Sequence, residues 1–208
     1  MCGITGIIKL NNTLVGNEQL NGNIQNNLFT ELYESLFHLQ HRGQDSGGIG
    51  GFESESKCSL IRKLGLIHNL NREFHNLNKN NIICGMGHIR YSTNNGINDR
   101  GEEYDKLAQI QPIYKKICLS KYNVHLCHNG HMLIDEDLLH FCRERNIPTI
   151  YNSDSELLYN IFHYLLGLPE IPNLYEISRG ELYLHLNLII NLLCSYCKGS
   201  YSIICVIE

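Results

Sequence analysis

The residue with the clearest chemical potential opens the chain. Cys2 follows the initiator Met, and its small side chain permits removal of that Met, which would leave a thiol beside a free α-amine. Such an amine has a reference pKa of about 7.7–8.0 and is suited to act as a general base near neutral pH. Nucleophile and base would then share one residue, the N-terminal nucleophile arrangement for attack on a carbonyl carbon. Acyl transfer also needs donors for an oxyanion. Asn129 and Gly130, closing a strand-like run, offer a side-chain amide and a sterically open backbone N–H. Recognition of an amino acid needs a cation for its carboxylate and an anion for its ammonium. Arg90, at the end of a largely apolar segment, and Asp154, in the first turn of a helix, are the candidates. Taken singly, each has a structural reading as a chance Cys, a simple Asn-Gly turn or an ordinary salt bridge; their joint occurrence points to chemistry on an amide.

Several elements must position these groups. Residues 2–9 form a short apolar run that predicts a strand buried from its first residue. From Asn26 to Gln40 a stripe of Leu28, Leu32 and Leu36, flanked by Phe29, Tyr33 and Phe37, predicts a helix stopped by Gly43. Gly47–Phe52 and Cys58–Leu66 are strand-like, and Asn69–Asn81 is a polar connection. Ile82–Tyr91 is again strand-like and leads into a long polar loop over Ser92–Leu107. Ile113–Leu119 and Val124–Cys127 suggest a hairpin ending at His128-Asn129-Gly130. Asp135–Asn146 is helical, and Ser153 with Glu156 forms a capping box ahead of the next helix. Leu174–Tyr196 gives a last helical pattern before a closing strand, GSYSIICVI, expected to be buried. Runs of strands with a few helices predict a single α+β domain over 2–208.

Composition narrows the function class. The chain has 208 residues, 43% of them hydrophobic, and a formal net charge of −4, without the clustered Lys/Arg excess that nucleic-acid binding needs. Leu182–Cys194, the richest apolar stretch, is interrupted by His185, Asn187 and Asn191, so no membrane span is expected. The N-terminus lacks a basic region followed by a sustained apolar one, so a secretory signal is not expected and a cytoplasmic setting is. The odd count of nine Cys reads as free thiols rather than a disulfide framework. Cys194 and Cys197 make a lone CxxC at the end of a helical pattern, a poor fit to zinc or thioredoxin-like chemistry. No metal or cofactor is expected.

Six motifs in order carry a resemblance to a known family. CGITGI (2–7), LQHRGQDSGGI (39–49), GHIRYST (87–93), QP (111–112), CHNG (127–130) and SDSE (153–156) resemble the class II, N-terminal nucleophile, glutamine amidotransferases; GSYS (199–202) resembles their closing strand. The form of the second motif is similar to that of the amidophosphoribosyltransferase branch. The resemblance implies a four-layer αββα sandwich and a reaction in which Cys2 attacks the side-chain carboxamide of L-glutamine. It further implies that Asn129 and Gly130 stabilise the oxyanion, that Arg90 and Asp154 hold the substrate carboxylate and ammonium, and that Arg42 orients the N-terminus. His88 and Thr93, within the third motif, are implied on the substrate side.

The chain also departs from the pattern. Thr93 is followed by Asn94, Asn95 and Gly96 where one residue usually separates Thr from Gly, and the stretch from Gly96 to Gln111 is longer and more charged. His131 follows HNG where a small or acidic residue is commoner, and Gly47 replaces the usual Ala. No acidic phosphoribosyl-pyrophosphate loop and no iron–sulfur Cys cluster is found, so no phosphoribosyltransferase domain is expected. The leading expectation is a glutaminase that passes ammonia to a separate acceptor synthase or transferase. The alternatives are a non-catalytic glutamine-binding or regulatory protein, another amidase of the same superfamily, and, last, a zinc protein built on Cys194 and Cys197.

Overall fold

The computed structural model describes residues 2–9, 28–53, 57–76, 82–91, 107–115, 119–149, 153–174 and 176–208. The chain divides into two units. One comprises Met1–Thr93 with Ile110–Pro112, and the other Asn94–Gln109 with Ile113–Glu208.

In the first unit, β1 (Gly3–Ile8), β2 (Ser46–Glu53), β3 (Cys58–Leu64) and β4 (Ile82–Arg90) form an antiparallel sheet in the order β1-β4-β2-β3. Helix α1 (Leu28–His38) turns Phe29, Leu32 and Leu36 inward. They join Ile49, Ile61 and Ile89 from the sheet, with Ile67, Leu70 and Phe74, in one apolar cluster. Strand-poor glycines make this contact possible. A Cβ at Gly51, Gly85 or Gly87 would lie 2.8, 2.7 or 2.5 Å from Phe29, Leu32 or Leu36 respectively, so the helix rests directly on the backbone of β2 and β4.

Two local readings of this unit change. The helix ends at His38 and a 3-10 turn over Gln40–Arg42 follows; Gly43, at φ −172°, is extended and is no left-handed cap. The expected polar connection after β3 is partly helical. A 3-10 turn (Ile67–Leu70) leads into α2 (Asn71–Asn76), because Ile67, Leu70 and Phe74 recur at helical spacing and bury against the α1 side of the sheet. Residues 77–81 and most of the loop expected over 92–107 lie outside the described residues.

In the second unit, β5 (Val124–Met132) pairs antiparallel with β6 (Gly199–Ile207), the last strand of the chain. This corrects the expected hairpin. Among the described residues of the expected first strand, Ile113 makes an isolated bridge to Leu126, residues 116–118 lie outside the described residues, and β5 runs past the expected end at Gly130 to Met132. The long-range partner wins because the register Val124↔Ile207 through Met132↔Gly199 pairs β5 along its whole length. Strand β6 is mostly half-buried, not buried.

Helices α3 (Glu136–Glu144), α4 (Asp154–Leu166) and α5 (Arg179–Tyr196) complete this unit. Residues Ser155 to Phe162 of α4 are buried without a break, as expected for a helix packed on all sides. Its capping is half of the expected box. Ser153 accepts from the Glu156 N–H, but the Glu156 carboxylate turns to Lys115 Nζ. The complete box is at α5, where the Ser178 and Glu181 side chains each satisfy the other's backbone and set the start at Arg179, past the Leu174 expected from periodicity. On α5 only Ile189 and Leu193 are buried, while Tyr183, Leu184, Leu188 and Ile190 are exposed. No described helix is long and apolar enough to cross a membrane.

Candidate active site

Cys2 stands immediately before β1. Gly3 pairs with Ile89 and Ile4 with His88, so continuing the register by one residue sets Cys2 opposite Arg90, which on its other side pairs with Ser46. Side chains of directly opposed residues share a face. Cys2, Arg90 and Ser46 therefore lie in a row across β1, β4 and β2, on the sheet face opposite α1. His88 lies one step along that face, fully buried between Ile4 and Gly48.

The LQHRG segment fastens the row in place. Arg42 Nε donates to the Cys2 carbonyl at 2.9 Å, and the Cys2 thiol lies 3.8 Å from the Tyr91 carbonyl, within reach of a weak S–H···O bond. Gly43 packs on the end of β4 so closely that a Cβ would sit 2.5 Å from the Arg90 carbonyl carbon and oxygen. The Asp45 N–H then donates to that oxygen at 3.1 Å. Gln40 anchors the turn from both ends of its amide, donating to the Gly43 carbonyl and accepting from the Ile67 N–H at 2.6 Å. The glycine at 43 thus answers a packing demand rather than the helix-ending one read from the sequence.

The second unit gathers Asn129, Gly130 and Asp154. Gly130 has φ +148°, and a Cβ there would lie 2.3 Å from the Ser200 carbonyl oxygen and 2.4 Å from Tyr201 Cα, so both conformation and space require glycine. The neighbouring Asn129 is half-buried, opposite Ser202. Asp154, the first residue of α4, receives the Met132 N–H of β5 on Oδ2 at 3.0 Å and the Ser155 N–H on Oδ1 at 2.8 Å. A carboxylate at a helix N-terminus is favoured by the unsatisfied N–H groups there. Its remaining lone pairs leave acceptor capacity. His131 Nδ1 lies 3.9 Å from Oδ2, with its side chain exposed. His128, on the buried side of β5, places Nδ1 2.7 Å from Ser155 Oγ. Burial holds its pKa below the ordinary value, against the pull of Asp154 upward, with His131 adding to the lowering.

The first unit thus brings Cys2, Arg42 and Arg90 together with His88, and the second brings together Asn129, Gly130 and Asp154; Thr93 lies outside the described residues. Among the described residues no group of three or more His, Cys, Asp or Glu could hold a metal ion; Cys194 is exposed and Cys197 buried.

Comparison with known proteins decides the kinship. The chain is 32% identical to amidophosphoribosyltransferase of Pasteurella multocida over 164 residues, 77% of this chain and 27% of that protein. It is 30% identical to amidophosphoribosyltransferase of Saccharomyces cerevisiae over 207 residues, 97% of this chain and 34% of that protein. This chain is a relative of the amidophosphoribosyltransferases. It spans about a third or less of the length of the curated relatives that it matches. The fold agrees: glutamine phosphoribosylpyrophosphate amidotransferase from B. subtilis superposes with a TM-score of 0.58 over 99% of this chain and 34% of that one, at 19% identity. No family model matches. As an amidophosphoribosyltransferase relative, the chain carries the motifs of a glutamine amidotransferase domain with an N-terminal nucleophile.

Sequence reasoning assigned no role to His128 and Ser155 in this relative, and gave Gly43 only that of a helix stop. His128 and Ser155 stood inside CHNG and SDSE, but their contact joins positions 27 residues apart and no local pattern signals it. The close approach of Gly43 to Arg90 is equally long-range; its only trace is a glycine next to the Arg of LQHRG.

Proposed function

We propose that this chain catalyses the glutaminase half of amidotransfer, hydrolysing L-glutamine to glutamate and ammonia through a thioester on Cys2. Once Met1 is removed, the α-amine of Cys2 takes the thiol proton, through a water, and the sulfur adds to the side-chain carbonyl carbon of glutamine. The oxyanion accepts hydrogen bonds from Asn129 and the Gly130 N–H. The amine returns its proton to the leaving nitrogen, the C–N bond breaks and ammonia departs. Water then attacks the γ-glutamyl thioester, the C–S bond breaks with the thiol reprotonated, and glutamate leaves. Arg90 binds the substrate carboxylate and Asp154 its ammonium; Arg42 orients the nucleophile, and His88 and Thr93 support the substrate side.

The observation that carries this reading is Cys2 immediately before β1, tethered by Arg42 and, by continuation of the β1–β4 register, opposite Arg90. The Asp154 carboxylate, fixed by two backbone N–H groups with acceptor capacity left, supports recognition of an ammonium. In this reading the fold is the four-layer αββα sandwich, one domain over 2–208. Ammonia passes to an acceptor synthase or transferase site, and the setting is cytoplasmic.

The test is glutamate release from glutamine by the purified chain, with mass spectrometry of the N-terminus. Activity abolished by Cys2→Ala and an N-terminus starting at Cys2 support the proposal. A processed chain that is inert alone and with candidate acceptor enzymes overturns it. Calorimetric glutamine binding without turnover would instead establish the second reading, a non-catalytic glutamine-binding or regulatory protein.

A further inference from the structure

The Asp154 carboxylate is not held by backbone alone. Ser155 Oγ lies 3.4 Å from Oδ1 and 2.7 Å from His128 Nδ1, and both His128 and Ser155 are buried. A serine hydroxyl has one proton to give. If the imidazole accepts at Nδ1, that proton goes to His128 and nothing but the Ser155 N–H remains on Oδ1. If Nδ1 carries the imidazole proton, it donates to Ser155 Oγ, and the hydroxyl proton is free to point at Oδ1. The second arrangement gives every proton in the chain an acceptor and puts the negative end of the relay on the carboxylate. Burial, which disfavours the imidazolium, keeps His128 neutral so that one tautomer can be selected.

We propose that His128 is a positioning residue that acts through Ser155 to fix the rotamer of Asp154, the group that receives the ammonium of the substrate. The inference rests on the glutaminase reading and deepens it, since His128 immediately precedes Asn129. One side chain of β5 therefore ties the strand bearing the oxyanion donors to the helix end bearing the ammonium acceptor. The Met132 N–H bond to Oδ2 makes a second tie between the same elements, four residues further along β5. Together they hold both carboxylate oxygens from one strand, so that the ammonium meets an oriented anion.

An ammonium site binds ground state and transition state alike, so loosening it raises KM more than it lowers kcat. Steady-state kinetics on the full chain should show that Ser155→Ala raises KM for glutamine about tenfold with kcat within about twofold, a scale set by hydrogen bonds to charged groups. Ser155→Thr, which keeps the hydroxyl, should restore KM. Long-range nitrogen–proton correlation spectra of the wild-type chain should show His128 protonated at Nδ1. An unchanged KM in Ser155→Ala, a Thr variant as impaired as the Ala variant, or a His128 protonated at Nε2 overturns the proposal while leaving the glutaminase reading intact. A wild-type chain that neither hydrolyses nor binds glutamine overturns both. If the chain binds without turnover, the same tenfold change is read in Kd by calorimetry.

Discussion

Arg42 donates its Nε–H to the carbonyl of Cys2 across 2.9 Å, linking the turn after α1 to the residue that precedes β1. The bond leaves the thiol and the α-nitrogen of Cys2 unengaged by Arg42 and fixes only the peptide oxygen. A guanidinium suits this task because its donors are held in a rigid plane, whereas a lysine would offer one flexible ammonium.

Arg42→Gln should lower kcat by about 10–100-fold, the scale of a nucleophile misplaced by about an ångström, with a smaller change in KM. Steady-state kinetics together with a thermal melt check it. Equal loss in KM alone would assign Arg42 to substrate binding.

In the proposed mechanism Asn129→Ala removes one oxyanion donor and should reduce kcat by about 10²–10³-fold, leaving KM for glutamine within a few-fold. Asp154→Asn should do the reverse, raising KM most. The contrast between the two profiles, measured under the same conditions, tests the division of roles within the second unit; a similar KM effect in both variants would refute it.

Gly130→Ala should destabilise the chain by about 1–3 kcal/mol, since residue 130 has φ +148° and its Cβ would overlap the Ser200 carbonyl. For a chain of this size that corresponds to a melting temperature lower by several degrees. Gly47→Ala is the milder control. Its Cβ would meet the flexible end of Ile67 at 3.0 Å, and a small shift of that methyl accommodates it. A melt in which both variants match the wild type would contradict the strain argument.

Burial lowers the pKa of both His128 and His163 from an ordinary value of 6.5. Below that value the unfolded chain takes up protons that the folded chain resists, so these residues make stability fall as the medium is acidified and leave it intact above about pH 6.5. The melting temperature should therefore drop between pH 7 and 5, and His163→Gln should flatten the slope. Identical slopes for wild type and variant would count against His163.

The local elements were legible because they bury one face at a regular period. The sequence pattern locates β1, α1, β2, β3 and β4 within a residue or two, and Cys2 and Arg90 follow from it, since each sits at a strand end. The β5–β6 pairing was not legible, because strands separated by more than sixty residues carry no turn signal, and Ile113–Leu119 offered a nearer apolar partner. Asn129 and Gly130 were found by chemical type and placed at the end of a strand, which runs on to Met132 because its partner is β6 rather than the nearer Ile113–Leu119 segment. The tie from His128 through Ser155 to Asp154 lay beyond reach for the same reason, since its geometry exists only after α4 has docked on β5.

The contact of α1 with the backbone of β2 and β4 limits how such a chain can drift. Leu32 and Leu36 occupy space that a side chain at positions 85 and 87 would otherwise fill. A lineage that gains a methyl at 87 must lose volume at 36, or lift the helix away from the sheet that carries Cys2 and Arg90. Helix and sheet are free to change only in matched steps, so the history of this surface should be written in compensated pairs.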